Sequence, residues 1–428
     1  MIFRPPQILS LKMGLNFSGY KTVCIVSDDF GRKDRTIFQK SSIFAINSKV
    51  MQNLVELRHT LHAHPELSEH EALTNKILNE WVRQTHPDQI IEKIGGYGLA
   101  AIYKGAKPGK RILIRGDIDA LHIPEPNDIP YHSQNQGISH KCGHDGHATI
   151  LCGLAQWLGE QHPDQGEVVL LFQPAEETGQ GAQAILSDPQ FAQIRPDVAY
   201  GLHNLPGFEK GKIMVKRGCF AAASFGLKLA FNGRTAHASQ PETGHSPSEL
   251  LAQLIHHLEK KREQLKEVKP LTTFVITHAI LGEETFGVAP DHAEIWLTLR
   301  SFDDHNLEVI ASQIIEFCRA KAKDYLFDFN FSMHEAFAAA NSDDNCVKTI
   351  EKAAQNLELD LGPLQEPFRW SEDFGRFGSV CPIGFFGLGS GLEQPALHDP
   401  MFDFPDDILE VGMGMFWEIV RLELEVLK

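Results

Sequence analysis

The sequence predicts an α/β protein of two domains, in which a small α+β domain interrupts a larger α/β domain. The chain has 428 residues, which is more than one ordinary hydrophobic core supports. Apolar runs such as "RILIRGD" and "EVVLLFQP" are nearly continuous and are separated by helical or turn segments, as the strands of a buried sheet are. Further along, strand and helix patterns follow the order β-α-β-β-α-β, which is the order of a ferredoxin-like unit.

The first predicted element is an amphipathic helix. Apolar residues recur at spacings of four and three at Val50, Leu54, Leu57 and Leu61, as one buried helix face requires. Pro65 ends this helix because proline cannot continue the backbone hydrogen bonds.

A second helix is predicted to open at Ser68. The Ser68 hydroxyl can cap the helix while Glu71, three residues on, reaches back as the other half of a capping box. Its buried stripe is predicted to consist of Leu73, Ile77 and Trp81. The predicted strands that follow are "LAAIY", "RILIRGD", "EVVLLFQP" and "VAYGLH".

The pattern changes after Cys219, where the inserted domain is predicted to begin. Its strands and helices read "FGLKLAFNG", "PSELLAQLIHHLEKKREQ", "TTFVITHAIL", "HAEIWLTLRSF", "LEVIASQIIEFCRAKAK" and "FDFNFSMHE". The helices "NCVKTIEKAAQNLEL" and "ILEVGMGMFWEIVRLELEVL" follow, with the strand "PIGFFGLGSG" between them. The predicted organisation is an N-terminal extension of unassigned role at 1–48, a main domain at 49–219 and 334–428, and an inserted domain at 220–333.

Composition excludes several classes of function. Hydrophobic residues make up 42% of the chain, and no apolar run approaches the roughly 20 residues that span a bilayer. The formal net charge of −16 repels a phosphate backbone and argues against nucleic-acid binding, so small molecules or proteins are the expected partners. The seven cysteines are scattered and never spaced C-x-x-C, which predicts a reducing, cytoplasmic location without a disulfide framework.

One cysteine and three histidines lie within the ten residues of "SHKCGHDGHA". The segment directly precedes the helical run "ATILCGLAQWL", so it is expected on a loop or at a helix N-terminus. A C-x-H pair such as Cys142 and His144 is also compatible with a buried thiol beside solvated histidines. A closed zinc knot is disfavoured because no second cysteine or histidine pair follows at the required interval.

Two adjacent carboxylates, Glu176 and Glu177, follow a predicted buried strand in "LLFQPAEETGQGA". Outside a helix such a pair usually marks a solvated turn. Here successive side chains can diverge, so that one faces a metal while the other faces the metal-activated water. That division suits hydrolysis, because a free carboxylate can take the proton of the water and later return it to the leaving group.

Two more histidines, His203 and His398, are predicted at strand or loop ends. Either alone also fits an ordinary core or surface histidine. Together with the Cys142 pair and one of the glutamates they provide five candidate ligands, which is enough for two metals if a ligand or a water bridges. Asp117 and Asp119 in "RGDIDAL" could orient ligand histidines, or they could simply form a strand-end turn.

Seven motifs in order resemble one known family: "RGDIDAL", "HKCGHDGH", "LLFQPAEET", "GLHNLPG", "GRTAHAS", "SEDFGRF" and "LHDPMFDF". They are similar to those of the amidohydrolase branch of the aminoacylase and carboxypeptidase metallopeptidases. That branch includes hippurate hydrolases, N-acyl-L-amino-acid amidohydrolases and plant auxin-conjugate hydrolases. The resemblance extends from about Val50 to the C-terminus and leaves the N-terminal extension unexplained.

The resemblance implies an α/β zinc-peptidase-like catalytic domain with an inserted ferredoxin-like lid and dimerisation domain. It implies two divalent ions per subunit, either zinc, manganese, cobalt or nickel. The implied ligands are Cys142, His144, Glu177, His203 and His398, with Cys142 as a bridging candidate. Glu176 would be the general base, and Asp145 and His147 would support the ligands.

The resemblance also implies a role for His237 of the inserted domain, and Arg300 of the same domain is a further candidate. His237 in "GRTAHAS" would stabilise the developing oxyanion in the active site of a partner subunit, which requires a homodimer or larger homo-oligomer. Arg300 could bind a substrate carboxylate, because its fork of donors suits that group. On spacing alone, both residues also fit solvent-facing side chains.

The predicted activity is metal-dependent hydrolysis of the amide bond of N-acyl or N-aroyl amino acids. A dipeptidase or an aminobenzoyl-conjugate hydrolase of the same family, or a metal-binding protein without catalysis, are the alternatives. Cytidine-deaminase chemistry is disfavoured because the P-C-x-x-C motif is absent. Departures from the family pattern at Gly116, His122, Thr178, Asn204 and "GVAPD" leave every implied ligand in place and bear on substrate choice.

Overall fold

The computed structural model describes residues 48–424. The N-terminal extension predicted at 1–48 therefore lies outside the described residues, except for its last residue. Within the described part of the chain, no helix combines the length and the apolar character needed to cross a membrane.

Helices and strands alternate through most of the described chain. The α-helices are α1 (Ser48–Ala63), α2 (Ala72–Arg83), α3 (His144–Glu160), α4 (Gly181–Ser187), α5 (Ser248–Leu265), α6 (Asp304–Asp324), α7 (Asp344–Asn356) and α8 (Leu409–Glu423). The strands are β1 (Gln89–Ile94), β2 (Gly98–Lys104), β3 (Lys107–Asp117), β4 (Gln165–Gln173), β5 (Val198–Pro206), β6 (Ile213–Val215), β7 (Gly218–Cys219), β8 (Ala223–Asn232), β9 (Ala236–His237), β10 (Thr272–Leu281), β11 (Val288–Ala289), β12 (His292–Ser301), β13 (Asp328–Phe337), β14 (Asn341–Ser342), β15 (Leu361–Pro363) and β16 (Ile383–Gly391).

The larger sheet has eight strands in the order β1-β2-β4-β3-β5-β16-β6-β15. Its centre, β4-β3-β5-β16, is parallel, and β4 and β5 are buried along most of their length. Such continuous burial is what parallel strands covered on both faces require. Helix α3 packs against β3, and α1 and α8 pack against α3. The four strands predicted from apolar runs, β2 to β5, are therefore confirmed.

The parallel strands place the functional loops at one edge of this sheet. Strands β3, β4 and β5 run in the same direction, so their carboxyl ends meet. Asp117, Gln173 and His203 lie at or near these ends, and Glu176 and Glu177 lie in the turn that follows β4. In open α/β sheets this edge is where ligands bind.

The smaller sheet has four antiparallel strands in the order β10-β12-β8-β13. Helices α5 and α6 pack on one face of it, so the β-α-β-β-α-β order predicted for the inserted unit is confirmed. Along β12 the side chains alternate, with Ile295, Leu297 and Leu299 buried between less buried neighbours. The domain boundaries at residues 219 and 333 stay a prediction.

The prediction for the second helix was wrong in its start and in its buried face. Glu69 has a φ of 65°, which interrupts any helix beginning at Ser68. Helix α2 begins at Ala72, and Glu71 precedes it without a side-chain capping bond. Leu73 is 40% exposed, and Ile77 and Trp81 are half-buried. The buried residues of α2 are Thr74, Asn75, Leu78 and Val82.

We expect the alternation in β12 to carry much of the stability of the four-stranded unit. Replacing the fully buried Leu297 by alanine should lower the free energy of unfolding by about 3 kcal/mol, because it leaves a cavity in the core. Val275 on β10 is half exposed, and Val275→Ala should cost less than about 1 kcal/mol. Urea unfolding of both variants checks this, and equal losses would contradict the assignment of the two faces.

Candidate metal centre

The candidate site begins at the junction between a loop and α3. Cys142 is the penultimate residue of the loop, and His144 is the first residue of the helix. Gly143 between them has a φ of 100°, a conformation that glycine adopts readily. A Cβ atom at this position would stand 2.5 Å from Asn204 Oδ1. Glycine therefore lets Cys142 and His144 face the same site.

The structure brings the five predicted ligands together in two overlapping groups. Ligand atoms of Cys142, His144 and His203 lie within 4.8 Å of one another, and so do those of Cys142, Glu177 and His398. Cys142 Sγ is 3.3 Å from His203 Nε2, and His398 Nε2 is 3.5 Å from Glu177 Oε2. Cys142 belongs to both groups, which is the position that a bridging ligand needs.

Hydrogen bonds fix which nitrogen of each candidate histidine faces the cluster. His144 Nδ1 donates to the backbone oxygen of Asp119 at 3.0 Å, and His203 Nδ1 donates to the backbone oxygen of Asn204 at 2.8 Å. In a neutral imidazole the other nitrogen then keeps its lone pair. Both Nε2 atoms are therefore available as ligands.

His147 differs from these histidines because both of its nitrogens contact side chains outside the five candidate ligands. Its Nδ1 donates to Asp117 Oδ1 at 2.6 Å, and its Nε2 lies 2.7 Å from Asn204 Oδ1. The two aspartates of "RGDIDAL" thus each contact a histidine, since Asp119 Oδ1 also lies 3.2 Å from His144 Nδ1.

The residues present fit a divalent cation. His144 Nε2 and Glu177 Oε1 are buried without a hydrogen-bond partner among the described residues, a state that normally costs free energy. Burial opposes a charge on His144, yet Asp117, Asp119 and Glu177 raise its pKa to about 10. Burial, then Glu177, raises the pKa of the Cys142 thiol. The cluster therefore attracts positive charge, and thiolate, imidazole and carboxylate together suit transition metals.

Glu176 lies beside this cluster with a different set of contacts. Its Oε2 is 4.0 Å from His144 Nε2, while its Oε1 accepts a bond from the Asp373 N–H at 3.3 Å. Burial, followed by the charges of Glu372 and Glu177, raises the pKa of Glu176. A buried carboxyl group with a raised pKa is what a proton-transferring residue needs.

Comparisons with known proteins agree with this geometry. Residues 113–421 match the sequence model of the peptidase family M20/M25/M40. The chain belongs to this family. It is 28% identical to a hippurate hydrolase of Campylobacter jejuni over 378 residues, covering 87% of this chain and 96% of the relative. It is 32% identical to an N-acetyl-L-cysteine deacetylase of Bacillus subtilis over 385 residues, covering 88% and 90%.

A solved structure supports the same assignment of the fold. The YXEP protein of Bacillus subtilis, described as a dinuclear metal-binding peptidase from the M20 family, matches with a TM-score of 0.75 and 26% identity, over 89% of this chain and all of the other. The zinc-peptidase-like two-domain fold implied by the motifs is therefore confirmed for this M20/M25/M40 family protein.

Sequence reasoning missed the buried arginine of this M20/M25/M40 family site. Arg115, at the end of β3, is 1% exposed. It donates to Asp117 at 2.5 Å and to Glu372 and Asp373 at 2.8 Å each. It therefore neutralises the carboxylates beside Glu176. The motifs "RGDIDAL" and "SEDFGRF" contained these residues, but only their contact reveals the pairing.

A second network that the sequence did not reveal joins α1 to the start of α3, where the candidate ligand His144 lies. Arg58 donates to Asp145 at 3.1 Å and to Asp403 at 3.0 Å. His62 Nδ1 donates to Asp145 at 2.8 Å, and the Lys141 carbonyl accepts the N–H of His398 at 2.7 Å. Asp145 thus joins the first turn of α3 to α1, and the same network reaches the segment that carries His398.

The two residues predicted on the inserted unit lie in different surroundings. His237, on the short strand β9, is exposed, and its Nδ1 lies 2.7 Å from Ser239 Oγ. None of its contacts within residues 48–424 joins it to the cluster. Arg300, on β12, donates to the Arg369 carbonyl at 2.6 Å and to Ser371 Oγ at 2.9 Å. Arg300 therefore contacts the segment directly before Glu372.

We predict that His62 makes stability depend on pH. Burial opposes its charge, but hydrogen bonds to Asp145 and Glu125 raise its pKa to about 9. The folded protein therefore binds this proton more tightly than the unfolded chain, whose histidine pKa is about 6.5. The stabilisation, about 3 kcal/mol, is complete below pH ~6.5 and disappears as the pH rises through ~9.

Urea unfolding of the metal-free protein at several pH values measures this contribution. His62→Gln should be less stable than the wild type near pH 6, and the deficit should shrink towards pH 10. His64→Gln, two residues along and half-buried, is the matched control, because the His64 ring bonds to the Thr60 carbonyl rather than to Asp145 and Glu125, and it should not show the same trend. A deficit for His62→Gln that stays constant with pH would show that the charge of His62 does not stabilise the fold.

Proposed function

We propose that this protein is a metal-dependent hydrolase that cleaves the amide bond of N-acyl or N-aroyl amino acids, releasing a free amino acid and a carboxylate. The observation that carries the proposal is the pair of ligand groups sharing Cys142, with the carboxylate of Glu176 directly beside them. The names of the relatives, a hippurate hydrolase and an N-acetyl-L-cysteine deacetylase, support the substrate class.

We assign two divalent ions to this centre, zinc, manganese, cobalt or nickel. Cys142, His144 and His203 would hold one ion, and Cys142, Glu177 and His398 the other. Bound metal supplies an acidified water and polarises the scissile carbonyl. The description of YXEP as a dinuclear metal-binding protein supports the number of ions.

Glu176 is assigned as the general base. Its Oε1 is held by the Asp373 N–H, which leaves Oε2 towards the cluster. From there it takes a proton from the attacking water and returns it to the nitrogen of the leaving amine. A structural metal site needs only the carboxylate that binds the ion, which is Glu177 here. The second buried carboxylate, Glu176, is not an assigned ligand, and its presence favours a catalytic site.

We assign the catalytic unit to residues 49–219 and 334–428 and the lid to residues 220–333. Arg300 would bind the substrate carboxylate, and His237 would donate to the developing oxyanion. The exposed ring of His237 and its purely local bonds support action in the site of a second subunit of a homodimer. The six described cysteines are free, which supports a cytoplasmic location.

We expect hydrolysis of N-acetyl, N-benzoyl and longer N-acyl amino acids by protein stripped with chelator and refilled with a single divalent metal. Glu176→Gln should keep wild-type metal content and lose about 10²–10⁴-fold in kcat, because only proton transfer is removed. Glu177→Gln, the adjacent matched change, should lose metal affinity by contrast. Amino-acid release and metal content per subunit are the two measurements.

Two outcomes would overturn this assignment. If the metal-refilled wild type binds metal but hydrolyses none of this panel of N-acyl amino acids, N-acyl amino acids are not its substrates. Dipeptides and aminobenzoyl conjugates, assayed in parallel, would then separate the related activities from a non-catalytic metal-binding protein. Full activity of Glu176→Gln would show that another group moves the proton.

We predict that His237 acts across a dimer interface. His237→Ala and Glu176→Gln homodimers should each be nearly inactive, because each lacks one group in both sites. Co-expression should restore about a quarter of the wild-type activity, since about half of the dimers are mixed and each has one complete site. Light scattering and turnover of the co-expressed mixture check this, and the separately tagged, purified mixed dimer should reach about half of the wild-type activity. A fully active monomer would contradict it.

A further inference from the structure

The turn that carries Glu176 and Glu177 has a strained backbone. Ala175, directly before Glu176, has a φ of 51°, a left-handed conformation that is unfavourable for a residue with a Cβ atom. The Ala175 carbonyl accepts bonds from the N–H groups of Gly181 at 2.9 Å and Gln180 at 3.3 Å. A Cβ atom at position 181 would stand 1.7 Å from the Pro174 carbonyl oxygen. The turn is therefore tightly folded back on itself.

Two buried carboxylates hold the N–H groups of this turn. Glu71 accepts a bond from the Ala175 N–H at 2.8 Å, and Asp119 accepts one from the Glu177 N–H at 3.0 Å. Glu71 is fully buried, and Ala175 is 4% exposed. Because Ala175 is buried, its N–H group depends on the Glu71 carboxylate, and Asp119 holds the partly buried Glu177 N–H.

Glu71 makes this bond from the residue directly before α2. It makes no side-chain capping bond to that helix. Its Oε2 is buried without a hydrogen-bond partner among the described residues. Burial, reinforced by Asp119, raises its pKa to about 7. The backbone N–H groups of Glu69 and Glu71 face the same carboxyl group and oppose that rise in pKa. The bond to the Ala175 N–H joins the carboxyl group to a segment 104 residues away.

We propose that Glu71 is a positioning residue that holds Ala175 in its left-handed conformation and thereby directs Glu176 and Glu177 to their separate tasks. The inference rests on the proposed function, because it assigns the effect of Glu71 to a base and a metal ligand. Without the acceptor, Ala175 relaxes towards the extended region, which turns both carboxylates away from their present positions.

Four single substitutions separate this role from mere support of the fold. Glu71→Leu removes the acceptor, whereas Glu71→Gln keeps an acceptor oxygen. Ala175→Gly removes the strain, because glycine adopts a φ of about +50° readily. Glu66→Leu is the matched control, because the Glu66 carboxylate accepts the Thr74 N–H at 2.8 Å and therefore supports α2 from the same loop.

Two readouts are measured for every variant: kcat and KM on the best substrate of the panel, and the Kd for Co²⁺ from absorbance titration of the metal-free protein. Glu71→Leu should lower kcat and Co²⁺ affinity by about 10–100-fold, with KM little changed, as loss of a residue that orients a ligand does. Glu71→Gln should lose less than about tenfold, because a neutral hydrogen bond remains.

The decisive measurement adds Ala175→Gly to these variants. In the Glu71→Leu background it should recover kcat and Co²⁺ affinity by roughly fivefold or more, because the strain no longer needs a restraint. In the Glu66→Leu background it should recover nothing. If Glu71→Leu behaves as the wild type, or if the glycine recovers both backgrounds equally, Glu71 has no positioning role.

Thermal unfolding of each variant identifies losses due to misfolding. If Glu71→Leu does not fold, the test is made with Glu71→Gln instead. Recovery of its kcat and Co²⁺ affinity by Ala175→Gly then decides whether Glu71 positions the turn. The Co²⁺ titration also keeps this inference separate from the proposed function. A wild type that hydrolyses nothing on the panel would overturn the function, while the Co²⁺ affinities would still support or overturn the role of Glu71.

Discussion

Neutralising buried negative charge is the constraint on which this structure depends. Asp117, Asp119, Glu176, Glu372 and Asp373 are all between 0% and 5% exposed. Carboxylates placed in such surroundings without partners cost several kcal/mol each. The chain therefore has to place a hydrogen-bond donor or a positive charge beside each of them. The elements at the carboxyl ends of the parallel strands provide these groups.

The fold meets this requirement with groups from distant parts of the sequence. Arg115, at the carboxyl end of β3, pairs with Asp117 and with two acids that lie more than 250 residues away. Backbone N–H groups of the turn after β4 serve Glu71 and Asp119. His144 Nε2 and Glu177 Oε1 remain without hydrogen-bond partners among residues 48–424, and they are the atoms that a cation would satisfy.

Much of the fold and of the candidate site could be predicted from the sequence. The apolar runs located β2 to β5, and alternation located the strands of the inserted unit, because local patterns follow the periodicity of each element. The motifs also contained all five candidate ligands. The hydrogen-bond partner of Glu71 could not be predicted, because Glu71 stands three residues after Ser68 and the pair matches a local capping box. The structure instead places its carboxylate against the Ala175 N–H, 104 residues away.

The sequence by itself determined the types and order of the main helices and strands, and the donor types available to a metal. Only the tertiary structure decided which donors face each other and which charges compensate them. In the folded chain the Ser68 hydroxyl donates to Asp119, 51 residues away, and Arg115 donates to Glu372, 257 residues away. The physical reason is that local patterns report which face of an element is buried, whereas the hydrogen-bond partner of a buried polar group is set by whichever distant segment packs against it.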